Sequence, residues 1–307
     1  MKYLLYLLPL IIFIIISSNR ELNEGALGTR SNPIKLYFTP SVDAQRISFN
    51  ARELTDFLEK ETGYHFITAV PASFIAVVEA FGTKKADIAS INTFSYLMAN
   101  AKYGAEARLR IVRDNNETTY KGMIFSRVGS GIDSLKDLED RSFAFVDPSS
   151  TSGYILPKAK LKRLGIRLGE TVFSMRHDNS VMMVYQKQVD AGAAYYAPPD
   201  PKTGQILDAR MRVQQQFPDV TDKIKIIGFT QDIPNDPWVF RKDMDEDMKE
   251  KIIQALIDYV NTPAGEKAMY EIYDIRGLIP TKDSDYDGLR KLLRDENISF
   301  ESLLKKK

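Results

Sequence analysis

From Asn32 onward the chain alternates short β-rich runs with amphipathic helical stretches, and no other feature limits its fold so tightly. "PIKLYFTP" reads as a strand, "DAQRISFNARELTDFLEKETG" as a helix closed by Gly63, and "YHFITAV" as the next strand. "SFIAVVEAF" is helical, "ADIASI" a strand, "TFSYLMANAKYG" a helix and "ARLRIVR" a strand. Strands separated by helices pair through crossovers, so the predicted class is α/β, with mostly parallel sheets flanked by helices. At 307 residues and 44% hydrophobic, the chain can bury one large core or two modest ones, and its length favours two domains over three.

A polar break, "DNNETT", separates this first set from a second: "YKGMIFSR", a short helix at "SLKDLED", then "SFAFVD", "TVFSM", "SVMMVYQKQ", "DAGAAYY", "ILDARMRVQQQF" and "KIKIIGF". Another break, "TQDIPNDP", leads to "WVFRK" and the long helix "DEDMKEKIIQALIDYV", followed by "TPAGEKAMYEIY". The expected organisation has residues 33–119 and 234–286 in lobe one, 120–233 in lobe two, and 287–307 as a charged, peripheral tail. Two crossings make a hinge, with a ligand cleft between the lobes.

Residues 2–18, "KYLLYLLPLIIFIIISS", place one lysine before an apolar run ending in small residues, the pattern of a secretory signal. The alternatives are cleavage after about Ser18 and retention as a short membrane anchor. Cysteine is absent, which removes disulfides, thiolate metal sites and a thiol nucleophile. Without residues 1–18, which contain only Lys2 among charged residues, 41 basic residues (42 − 1) face 41 acidic ones. This balance suggests no nucleic-acid groove or polybasic membrane patch. With two distant histidines and no H-E-x-x-H, no metal-ligand spacing exists, and no cofactor is expected.

In "FAFVDPSSTSGYILPKAKLKRLG" an apolar run ends in Asp147-Pro148 and is followed by four consecutive hydroxyl residues, Ser149 to Ser152. A strand, a tight hydroxyl-bearing turn and a helix bring free backbone N–H groups and O–H donors together, which makes an anion cradle. Pro157 belongs in the first helical turn, so the helix should start near Gly153, with Ser150, Thr151 and Ser152 at its positive end. The alternative is simple helix capping, which needs one hydroxyl and not four.

Other polar candidates fall just beyond strand ends, where open α/β sheets take ligands. His177 follows "TVFSM" and can donate to an anion at a helix start, whereas His65 lies inside "YHFITAV" and reads as structural. Tyr120 opens a strand at the hinge. Asp236, in "IPNDP", either forms an Asx-type turn or acts as a filter. As a filter it accepts a proton from a phosphorus oxyanion that keeps one P–OH, and it repels sulfate. "VGSGIDS", residues 128–134, reads as a turn and N-cap rather than a glycine-rich phosphate loop.

"FVDPSSTSGYILP", "RHDNSVMMVYQKQVDAGAA" and "IPNDPWVFRKDM", in that order, resemble the periplasmic binding proteins of phosphonate, phosphite and phosphate ABC transporters. The likeness spans about residues 34–286, with the STSG turn its most specific element. It implies a two-lobed, type II periplasmic binding fold whose ligand is ringed by the equivalents of Tyr120, Ser150, Thr151, Ser152, His177 and Asp236. Phe74 stands where several relatives have tyrosine, and no glutamate follows the "VDAGAA" strand to pair an amine, as aminoalkylphosphonate binders have. The expected ligand is therefore a compact phosphorus oxyanion rather than 2-aminoethylphosphonate, with Tyr195 or Tyr196 closing that side.

The resemblance implies a monomeric, exported, non-enzymatic component of an importer, which closes two lobes on its ligand and hands it to a membrane permease. Two alternatives stand beside it. One is a phosphorus-sensing module of a membrane signalling system. The other is a periplasmic hydrolase using Ser, His and Asp, although the chain has no G-x-S-x-G elbow.

Overall fold

The computed structural model describes residues 25–298, so the proposed signal or anchor at 1–18 lies outside the described residues. The first pass of the chain lays down β1 (Ile34–Phe38), α1 (Ala44–Thr62), β2 (Phe66–Ala69), α2 (Phe74–Gly82), β3 (Ile88–Ser90), α3 (Thr93–Tyr103) and β4 (Glu106–Val112). Local chemistry sets the helix ends. Asp43 caps α1 by accepting from the N–H groups of Gln45 and Arg46, and Gly63 terminates it in the left-handed region at φ 73°. Ser73 and Asn92 cap α2 and α3 in the same way.

The second pass contains β5 (Thr119–Arg127), β6 (Phe143–Phe145) and a π-helical turn, Thr151–Ile155, continuing into α4 (Leu156–Arg163). Then come β7 (Thr171–Phe173), α5 (His177–Tyr185), β8 (Ala191–Tyr196), the short α6 (Met211–Gln214) and α7 (Val220–Lys223), β9 (Ile224–Phe229) and β10 (Ile233–Pro234). The chain returns through β11 (Pro237–Phe240), α8 (Glu246–Val260), α9 (Pro263–Tyr273), β12 (Gly277–Pro280) and α10 (Asp287–Asp295).

Two six-stranded sheets result, ordered β12-β4-β11-β3-β1-β2 and β10-β5-β8-β6-β7, with β9 paired to β5 in the second. The α/β, two-lobed architecture is as the alternation predicts, but the sheets are mixed rather than mostly parallel. In the first, β1 pairs β2 and β3 in parallel, while β11 is antiparallel to β3 and β4, and β12 to β4. In the second, β6 pairs β7 and β8 in parallel, while β5 is antiparallel to β8, β9 and β10. The physical reason lies in the crossings. Every antiparallel pair involves β5, β11 or β12, and β5 and β11 are the strands by which the chain passes from one sheet to the other.

The first sheet packs Leu36, Phe38, Trp238 and Phe240 against Leu54, Ile252 and Leu256, all buried. In the second, Phe125, Phe143, Val181 and Val184 fill the equivalent space. Full burial of each such side chain stabilises by about 1.5–3 kcal/mol before entropy is counted. Residues 287–307 were expected to be a peripheral charged tail, but 287–295 form α10. Tyr286, Leu289 and Leu293 are buried within the larger core cluster, and Glu296 pairs with Arg163 of α4 at 2.9 Å.

Candidate functional site

The hydroxyl turn sits where β6 ends. Asp147 organises it by accepting from the Ser149 N–H at 2.8 Å and the Ser149 hydroxyl at 2.7 Å. Ser150 caps the helix, its Oγ accepting from Gly153 N–H at 3.1 Å. The helix therefore begins at Thr151 as a π turn, slightly earlier than Pro157 suggested. The N–H groups of Thr151 and Ser152 head it, with no carbonyl before them in the helix to pair with. Two glycines permit the packing. A Cβ on Gly122 would lie 2.6 Å from the Ser152 carbonyl oxygen, and one on Gly153 would lie 2.4 Å from the Val146 side chain.

Around this turn the lobes are closed over a cavity of about 40 Å³. One water needs roughly 10–15 Å³ of such space, so it suits a compact group of a few non-hydrogen atoms. Seven of the eight candidates from the sequence line it: Phe74, Tyr120, Ser150, Ser152, His177, Tyr195 and Asp236. Thr151 does not. Its hydroxyl donates to Asn92 Oδ1 at 2.9 Å and accepts from the Phe94 N–H at 2.9 Å, so the side chain serves the seam between lobes. Tyr195 lines the cavity while Tyr196 packs at a tilt against Phe229 with ring centroids 4.5 Å apart. His65 lies away from the cavity, beside Glu59 at 3.4 Å.

Asp236 Oδ1 accepts from Tyr120 Oη at 3.2 Å and Thr93 Oγ1 at 3.3 Å, and Oδ2 lies 3.7 Å from Arg113 Nη2. Burial raises the Asp236 pKa above the ordinary carboxylate range, and Arg113 partly offsets this. Burial, reinforced by the Asp236 charge, holds Tyr120 well above the usual phenol range, so it remains a neutral donor. Burial, with the Arg113 charge beside it, lowers His177 to about 3. His177 Nδ1 accepts from the Tyr195 N–H at 3.2 Å, which leaves Nε2 carrying the proton of the neutral ring. A hydrolase histidine has the opposite polarity, with Nδ1–H donating to a carboxylate and Nε2 accepting from serine. Here Asp236 is bonded to Tyr120 and Thr93 instead.

Sequence reasoning missed a second ring of residues. Arg113 and Arg212 line the cavity with Ser90, Tyr273 and Asp274. Arg212 Nη2 donates to Asp274 Oδ1 at 2.5 Å, while Asp274 Oδ2 accepts from Tyr195 Oη at 3.4 Å and lies 4.0 Å from Arg113. Arg113 Nε, Arg212 Nε and Ser90 Oγ are buried without a hydrogen-bond partner among the described residues. Such orphaned donors are rare unless a ligand or water completes them. Their carriers are remote in sequence and belong to no local motif, so no pattern announced them.

Lobe-crossing contacts hold the closed form together. His177 N–H donates to the Ser41 carbonyl at 3.3 Å, Arg176 pairs with Asp43 at 3.0 Å, and Phe74 N–H donates to Asp147 Oδ2 at 3.4 Å. A donor-rich cavity between two α/β lobes, each entered by a strand from the other, defines a two-lobed binding protein.

The sequence profile of the periplasmic substrate-binding proteins of phosphonate ABC transporters matches residues 36–286, and the chain belongs to that family. It is 26% identical over 261 residues to the phosphonates-binding periplasmic protein of Escherichia coli, covering 82% of this chain and 70% of that one. It is also 23% identical over 278 residues to the phosphate-import protein PhnD of Mycolicibacterium smegmatis, covering 84% of each. The fold is similar to a binding component of an ABC phosphonate transporter from Pseudomonas aeruginosa, with TM-score 0.75 and 20% identity over 86% of this chain and 87% of that one. It is also similar to PhnD1 of Prochlorococcus marinus, solved with methylphosphonate, with TM-score 0.72 and 17% identity over 87% and 98%. The chain is thus a substrate-binding component of an ABC importer.

Proposed function

We propose that the ligand is a compact phosphorus oxyanion, phosphate, phosphite or methylphosphonate, held in the cavity between the lobes and released to a membrane permease. The observation that carries this reading is the cavity itself. About 40 Å³ is lined on one side by Ser150 and Ser152, at the head of the helix, and on the other by Asp236. The anion's oxygens accept from the Ser152 N–H, from the Ser150 and Ser152 hydroxyls and from His177 Nε2–H. Arg113 supplies the positive charge. Asp236 accepts the one proton such a ligand retains, and so rejects a fully deprotonated tetrahedral anion.

Closure is the functional step. Tyr120 and Asp236 approach the ligand as the lobes meet, and Thr151 closes on Asn92 and Phe94 in the same movement. In this role the protein works by binding and delivery, without turning over its ligand. Export through residues 1–18 places it in the periplasm, where the family works, as a monomer meeting the permease.

The test is calorimetric titration of residues 19–307 with phosphate, phosphite, methylphosphonate and sulfate. Micromolar or tighter binding of one phosphorus compound, with sulfate silent, is expected. Silence toward all three phosphorus compounds would overturn the assignment.

A further inference from the structure

We infer that the buried ion pair between Arg212 and Asp274 sets the cleft's discrimination against phosphonates that carry an ammonium group. The inference rests on the phosphorus reading above and deepens it. A cationic substituent needs a free carboxylate in the cavity wall, and the lining contains two, Asp236 and Asp274. Asp236 already faces Tyr120, Thr93 and Arg113. Asp274 is taken by Arg212 at 2.5 Å, with Tyr195 Oη and Arg113 on its other oxygen.

Both members of the pair are held inside the molecule, with side-chain exposures of 6% for Arg212 and 9% for Asp274. Burial works against the Arg212 charge, but Asp274 and Tyr195 outweigh it and keep the guanidinium fully protonated. The protein's own cation thus stands beside the carboxylate that a ligand ammonium would seek. The unpartnered Nε–H of Arg212 favours a further anionic or neutral acceptor at that wall. The pair also spans the two lobes, because Arg212 lies on α6 and Asp274 ends α9. A ligand that displaced Arg212 would therefore oppose closure as well as meet like charge.

Arg212→Ala removes the guanidinium and leaves the Asp274 carboxylate facing the cavity. Arg212→Gln removes the charge but keeps most of the stem that packs there, and Arg212→Lys keeps the charge. The experiment is calorimetric titration of wild type and the three variants, each shown by thermal melting to be folded, with phosphate, phosphite, methylphosphonate and 2-aminoethylphosphonate. Wild type is expected to bind 2-aminoethylphosphonate on the order of 100-fold more weakly than its best compact ligand, about two decades at 1.36 kcal/mol each. Arg212→Ala should narrow that ratio at least about tenfold, Arg212→Gln should move it in the same direction, and Arg212→Lys should leave it near wild type. An unchanged ratio in both the Ala and Gln variants, or wild-type binding of 2-aminoethylphosphonate as tight as its best compact ligand, overturns this inference alone. A wild-type protein that binds none of the four overturns the phosphorus reading, and this inference with it.

Discussion

Asp236→Asn separates the two jobs a carboxylate can have in this cavity. In the closed structure one carboxylate oxygen is engaged by Tyr120 and Thr93, while the other lies 3.7 Å from Arg113. Toward a ligand that carries one proton, the side chain is an acceptor for P–OH. Toward sulfate, it sets acceptor against acceptor in a buried place. The amide keeps the size and the Tyr120 and Thr93 contacts but loses the charge, and it can turn an N–H toward the ligand. A hydrogen bond to a charged group is worth about 1.5–3 kcal/mol, so the variant should bind the phosphorus ligand roughly 10- to 100-fold more weakly. Sulfate gains a donor and loses a repulsion of about 1–3 kcal/mol, so the ratio between the two should fall by at least about 100-fold. Competition calorimetry at neutral pH reads both affinities on one sample. A folded variant that keeps the wild-type ratio within about threefold, against the decades expected, would refute the filter and reduce Asp236 to a turn former.

Three further outcomes follow from the geometry. The folded pKa of His177, about 3, lies below the ordinary 6.5, so the unfolded chain takes its proton first as pH falls. Its contribution to stability is full above about pH 6.5 and is lost progressively toward pH 3, while Asp236 and Asp147, raised by burial, act in the opposite sense. His177→Asn keeps an acceptor for the Tyr195 N–H, and its thermal midpoint should fall less than wild type's on acidification from pH 7; parallel profiles would contradict this. Gly122→Ala puts a methyl group 2.6 Å from the Ser152 carbonyl oxygen, so anion affinity measured by calorimetry should drop at least about tenfold even if melting shows the fold retained. Leu293→Ala in α10 should cost about 2–5 kcal/mol in chemical denaturation, whereas a value near zero would return the tail to the periphery.

What could be read from the sequence divides along a physical line. Features set by local chemistry were legible: the βα alternation, the helix stop at Gly63, and the hydroxyl turn before Pro157. Strand direction was not, because β5 and β11 pair with strands distant in sequence, and no local pattern sets their sense. Arg113 and Arg212 were invisible for a related reason, since each becomes a cavity residue only through partners on another element. Thr151 was noticed for its hydroxyl, but its position in the turn aims that group at Asn92 rather than the cavity. The spacing of Tyr286, Leu289 and Leu293, at i, i+3 and i+7, did carry the signal for α10, and the surrounding charges masked it.

In the function proposed, a compact phosphorus oxyanion sits between the helix-heading turn and Asp236. A crystal structure of the protein with its tightest-binding phosphorus ligand tests it directly. Tetrahedral density is expected in the cavity, with oxygens within hydrogen-bond reach of the Ser152 N–H and the Ser150 and Ser152 hydroxyls, and one oxygen shared with Asp236. Density elsewhere, or a bound ligand with Asp236 turned away, would contradict it.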